Sequence, residues 1–162
     1  MSQLIRMVSP SELDDLLALN ESEVPHVGTI NIEQMQWFAR NADYFRVVEK
    51  DHQIAGFLIG LRPGSSYQSR NYRWFCDRYD DFAYVDRVAV AKSARGLGVA
   101  SKLYADFAAT LSGSCKALTC EVNILPPNEG SMKFHARLGF REVGSLTSDD
   151  GSKKVALLVK DL

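Results

Sequence analysis

The glycine pair Gly96 and Gly98 constrains this chain more than any other feature, because it sits between an apolar run and an amphipathic one. Val88-Ala89-Val90 reads as the end of a strand that begins at Phe82. Lys92 to Gly98 reads as a loop, and Val99 to Leu111 as a helix with Leu103, Phe107 and Leu111 on one face. Strand, glycine turn and helix in that order commit the chain to a layered architecture of helices on a sheet. Glycine allows positive φ and close approach of the backbone. The first N–H groups of a helix have no intrahelical acceptor, and the helix dipole adds positive potential there. The turn therefore suits a pyrophosphate, or it is simply a tight connection.

The flanking pattern fills in the architecture. Leu4 to Val8 alternates as a first strand, and Ser9-Pro10-Ser11-Glu12 announces a helix carrying Leu13, Leu16, Leu17 and Leu19. Asn31 caps a second helix, with Ile32, Met35, Trp37 and Phe38 as its apolar positions. Tyr44–Glu49 and Ile54–Leu61 are strands joined by a turn at Asp51-His52-Gln53. Residues 62–73 read as a long polar loop that turns aromatic toward Tyr79. Ala117–Ile124 is a strand, Leu125-Pro126-Pro127 an extended connection, and Asn128–Leu138 a helix stopped by Gly139. Phe140–Val143 and Val155–Val159 close the chain around a hairpin loop at Ser148–Ser152. The expected order is β-α-α-β-β-β-α-β-α-β-β, an α/β (α+β) mixed sheet of about seven strands with four helices, in a single domain over residues 1–162.

Composition excludes several classes. A net charge of -1 gives no basic excess for nucleic acid. No apolar run approaches the ~18 residues of a membrane span, and the N-terminal stretch carries no long apolar leader core. Cys76, Cys115 and Cys120 are odd in number and lack metal-type spacing, so they read as free thiols in a reducing compartment, with no metal site. The expected location is the cytoplasm.

Two nucleotide-binding motifs fail on detail. The loop lacks the lysine and hydroxyl of G-x-x-x-x-G-K-[ST]. Gly96, Gly98 and Ser101 nearly match G-x-G-x-x-G, with Glu121 about where a ribose contact would fall. The third glycine is missing, however, and five residues separate Val90 from Gly96, too many for a tight dinucleotide turn.

Arg95-Gly96-Leu97-Gly98-Val99-Ala100 resembles the [Q/R]-x-x-G-x-[G/A] signature of the GNAT N-acetyltransferases. Downstream, Asn128-x-x-Ser131-x-x-Phe134-His135-x-x-x-Gly139-Phe140 is similar to the family's N-x-x-A-x-x-[L/F]-Y-x-x-x-G-F. The resemblance covers roughly residues 82–143. It implies acetyl-CoA as co-substrate and direct transfer to a primary amine in a ternary complex. It also implies that backbone groups of Val88 and Val90 pair with the pantetheine arm, with the Val88 N–H on the thioester carbonyl. Backbone N–H groups around Arg95, Gly96, Gly98, Val99, Ala100 and Ser101 would hold the pyrophosphate. Asn128 would contact the pantetheine arm, or serve as a plain helix cap.

An amine with a pKa near 10 must lose a proton before it attacks a thioester. Glu121 is the first candidate base, because Cys120-Glu121-Val122-Asn123 resembles the L-E-V-R stretch of ribosomal-protein alanine acetyltransferases. Asp86 is the second, since it shares the alternation face of Val88 and Val90. His135 stands where the family has an acidic tyrosine. It either keeps a proton-donating role toward sulfur or only serves the local hydrogen bonding. The acceptor, a small molecule or a peptide terminus, is expected among Trp37, Tyr67, Tyr72, Trp74, Phe75 and Tyr79, with Arg70 and Arg73 for a carboxylate. A non-catalytic acyl-CoA-binding or sensing module on the same fold is the alternative. The sequence leaves the oligomeric state open, a homodimer included.

Overall fold

The computed structural model describes residues 3–111 and 113–162; Met1 and Ser2, part of the stretch read for a leader, lie outside them. In chain order the elements are β1 (Gln3–Met7), α1 (Leu13–Ser22), α2 (Ile32–Asn41), β2 (Tyr44–Lys50), β3 (Gln53–Leu61), α3 (Arg70–Arg78), β4 (Ala83–Val90), α4 (Val99–Thr110), β5 (Ala117–Leu125), α5 (Glu129–Arg137), β6 (Arg141–Thr147) and β7 (Lys154–Asp161). The seven strands form one mixed sheet in the order β1-β2-β3-β4-β5-β7-β6. Among the described residues, no helix is long and apolar enough to cross a membrane.

The expected order holds with one correction: five α-helices lie among the described residues, not four. The added helix, α3, lies where the sequence reads as loop. Ser69 caps it by accepting from the Tyr72 N–H, and Tyr72 and Phe75, three residues apart, turn inward to full burial. The serines before it and its aromatic, modest helix formers hide this helix from a pattern reading.

The chain divides into two compact units, residues 3–61 with 87–111 and residues 62–86 with 113–162. In the first, β1, β2 and β3 form an antiparallel meander. Asp51 and His52 both take positive φ, 53° and 63°, as the two-residue turn that pairs Lys50 with Gln53. Arg6 ties β1 to the chain entering α1 through Glu12, whose carboxylate also accepts from the Ser9 N–H at 2.7 Å. Val99, Leu103 and Phe107 bury the inner face of α4.

In the second unit β5 pairs antiparallel with β7, and β7 with β6. β4 pairs in parallel with β5 through Ala83–Leu118 and Tyr84–Thr119. Tyr72, Phe75, Phe82 and Tyr84 make an aromatic core with centroid separations of 5.4 to 6.3 Å. Trp74 lies across β6 at Gly144, where a Cβ would sit 2.6 Å from the indole ring. Only glycine allows that approach.

Candidate active site

The glycine turn belongs to the first unit. Chain leaving β4 makes one 3-10 turn at Lys92–Ala94, and Arg95 is extended. Gly96 and Gly98 then take φ of +78° and +76°. Both are left-handed positions where an L side chain is strained, and the space around both Cβ positions is open. Gly98 is the N-cap of α4 and supplies no side-chain cap. The first helical bond runs from the Lys102 N–H to the Gly98 carbonyl at 3.0 Å. The N–H groups of Val99, Ala100 and Ser101 therefore lie at an uncapped helix start beside two glycines whose flanks are open. That arrangement fits a pyrophosphate. Gln3 donates to the Leu97 carbonyl at 3.2 Å and accepts from Lys102 Nζ at 2.7 Å, which steadies the turn. Val88 and Val90 are half-buried at the end of β4.

The two candidate bases, Glu121 and Asp86, belong to the second unit, and each carboxylate carries a phenol. The Tyr84 hydroxyl lies 2.8 and 2.6 Å from the two oxygens of Glu121. The Tyr67 hydroxyl donates to Asp86 Oδ1 at 2.6 Å. Tyr84 is fully buried; burial first, then the charges of Glu121 and Asp86, hold its hydroxyl far above the ordinary tyrosine range. It stays a proton-bearing donor at neutral pH, so Glu121 is the acceptor in that pair. Glu121 itself is half-buried on β5, between the buried Cys120 and Val122.

Asn128 caps α5, its Oδ1 accepting from the Ser131 N–H at 3.3 Å. The turn before it closes through the Asn128 N–H to the Asn123 carbonyl at 3.1 Å. His135 is buried on α5, edge-on to Phe134 and Phe140 at 5.2 Å each. Its Nδ1 lies 2.7 Å from the Ser131 carbonyl, which only accepts, so Nδ1 carries a proton. Burial pushes the imidazole below its usual range, against the pull of that backbone bond. The neutral ring with Nδ1–H is the favoured form at neutral pH, and Nε2 is then an acceptor.

Of the residues expected to meet an acceptor, Tyr72 and Phe75 are core. Trp74 covers Gly144, Tyr67 is engaged on Asp86, and Arg70 and Arg73 are exposed on α3. Trp37 is half-buried on α2, edge-on to Phe38. Sequence reasoning missed Tyr84. Its signal was available, since Tyr84, Asp86, Val88 and Val90 share one parity along β4.

A family model described as "Acetyltransferase (GNAT) family" matches residues 12–140. No curated protein matches the sequence significantly. Ard1 from Thermoplasma volcanium is similar in structure, with a TM-score of 0.80 and 17% identity over 100% of this chain and 99% of that one. NAA60 of Arabidopsis thaliana, solved with a bisubstrate analogue, gives 0.78 and 19% over 99% and 98%. The ribosomal-protein-S18-alanine N-acetyltransferase of Escherichia coli gives 0.72 and 12% over 99% and 94%. At these identities the likeness is one of fold.

Proposed function

The chain belongs to the GNAT acetyltransferase family, and on that premise we propose that it is an N-acetyltransferase using acetyl-CoA to acetylate a primary amine of a peptide or small molecule by direct transfer. The observation that carries the reading is the Gly96–Gly98 turn, with two left-handed glycines opening onto the uncapped start of α4. We read the two compact units as one acetyltransferase domain.

Acetyl-CoA supplies an acyl group activated as a thioester. The chain's residues bind and deprotonate. Backbone N–H groups of Gly96, Gly98, Val99, Ala100 and Ser101 hold the pyrophosphate, with Arg95, whose own N–H donates to the Lys92 carbonyl, beside them, and Asn128 uses the amide left after capping to meet the pantetheine arm. Backbone groups of Val88 and Val90 align that arm, with the Val88 N–H directed to the carbonyl oxygen, where charge develops. Glu121 takes one proton from the acceptor ammonium, the freed nitrogen bonds to the acyl carbon as the carbon–sulfur bond breaks, and the nitrogen's second proton is lost to water. Tyr84 orients the Glu121 carboxylate for that step. Asp86, held by Tyr67, draws the ammonium toward the same negative region. The departing sulfur takes its proton from water or from His135 when that ring is protonated. Cys76, Cys115 and Cys120 form no disulfide among the described residues and fit a reducing compartment, and we place the protein in the cytoplasm.

A second reading, an acyl-CoA-binding module without turnover, draws on His135, whose one favoured proton is committed to the Ser131 carbonyl.

Thermal unfolding with acetyl-CoA, CoA, NAD or buffer tests the donor. A ligand at 100 times its Kd adds about 2.7 kcal/mol of stability. We expect stabilisation by both CoA species and none by NAD; no shift at millimolar CoA would sink the reading. Thiol release across an amine panel then separates enzyme from sensing module.

A further inference from the structure

Two arginines in the segment assigned to the acyl donor, Arg87 just before Val88 and Arg95 just before Gly96, both reach the end of α1 and the connection that follows it. Arg87 Nη1 donates to the Gly28 carbonyl and to Asn20 Oδ1, each at 2.9 Å. Asn20 is fully buried and also donates to the Gly28 carbonyl at 3.1 Å. At the other end, Arg95 Nη2 lies 2.8 and 3.0 Å from the two oxygens of Glu23. Glu23 follows the last turn of α1, where a carboxylate opposes the helix dipole and gains from a cation. Its side chain is only 12% exposed, whereas that of Arg95 is 55% exposed.

The asymmetry of this pair is informative. One guanidinium nitrogen satisfies the carboxylate, and among the described residues no group accepts from Nε or Nη1 of Arg95. A guanidinium offers five N–H donors in a fixed fork, so anchoring it at Nη2 leaves three donors oriented beside the glycine turn. Holding a long, rotamer-rich side chain before the ligand arrives reduces the ordering cost of binding.

We propose that Glu23 is a positioning residue for the donor: it presents Arg95 to the pyrophosphate and ties donor binding to the order of residues 24–28. This rests on the acetyl-CoA reading above.

The test is a double-mutant cycle on the full chain, with CoA affinity measured by titration calorimetry. Glu23→Ala should weaken CoA binding about two- to five-fold, the range for a partly exposed ion pair. On an Arg95→Ala background the same change should have no further effect. In the wild type, CoA should slow amide exchange across residues 24–28, and Glu23→Ala should abolish that slowing. Unfolding midpoints without ligand separate this from general damage. Unchanged or tighter binding by Glu23→Ala, or an equal loss on the Arg95→Ala background, overturns the proposal and leaves the donor reading intact. A wild-type chain that binds no CoA overturns both.

Discussion

The Tyr84 hydroxyl contacts both carboxylate oxygens of Glu121, at 2.8 and 2.6 Å. A phenol has one proton to give, so the two contacts share it, and the carboxylate is held against the hydroxyl rather than free to rotate. The Tyr84 ring is itself immobilised between Tyr72 and Phe75. Orientation thus passes from the aromatic core to the candidate base.

Tyr84→Phe keeps the ring and removes the donor. A hydrogen bond to a charged group is worth about 1.5–3 kcal/mol, so turnover should fall about ten-fold or more, with little change in the KM for acetyl-CoA. Steady-state kinetics on the best amine of the panel checks this; an equal change in KM and turnover would count against an orienting role.

Glu121→Gln removes the proton acceptor and retains the shape. General base catalysis contributes roughly 10²–10⁴-fold, and turnover should fall within that range. The acid limb of the kcat/KM profile should also disappear. If Asp86→Asn produces both effects and Glu121→Gln neither, the base is Asp86.

Gly98→Asp should weaken CoA binding by about ten-fold or more, or about 1.4 kcal/mol, through a side chain in an open cradle and a charge beside the phosphates. Gly98→Asn has the same shape and similar tolerance of positive φ, and isolates the charge. Calorimetric titration of both variants measures the difference; equal affinities would remove the electrostatic part of the argument.

His135 links stability to pH. Its folded-state pKa lies below the ordinary 6.5 because of burial. As pH falls through the ordinary value, the unfolded chain takes up a proton first, and stability is lost until the folded ring also protonates. The contribution is complete above that window. Between about pH 7.5 and pH 5, wild type should therefore lose more stability in urea than His135→Phe does. Equal losses would place the acid sensitivity elsewhere.

Gly144→Ala drives a Cβ to 2.6 Å from the Trp74 ring. Overpacking of this kind costs about 1–3 kcal/mol, and the urea midpoint should fall accordingly. Because Trp74 lies on α3, its fluorescence should shift as well.

Most of the fold was legible because it rests on near neighbours in the chain. The Asn31 and Asn128 caps and the Asp51-His52 turn are satisfied within a few residues of themselves, and the apolar faces of α2 and α4 show as a short local period whatever they pack against. α3 escaped because its burial comes from Tyr72 and Phe75 meeting Phe82 and Tyr84, partners that no local pattern reveals.

By itself the sequence determined the strand–glycine–helix turn and the family, since both depend on residue type at short, set spacing. Tertiary structure alone decided that Tyr84 holds Glu121, 37 residues away, and that Arg95 meets Glu23 across 72. It also decided that His135 is buried and favours its neutral form. Proton affinity and side-chain orientation are set by the dielectric and the partners that packing brings together, and neither exists until the chain has folded.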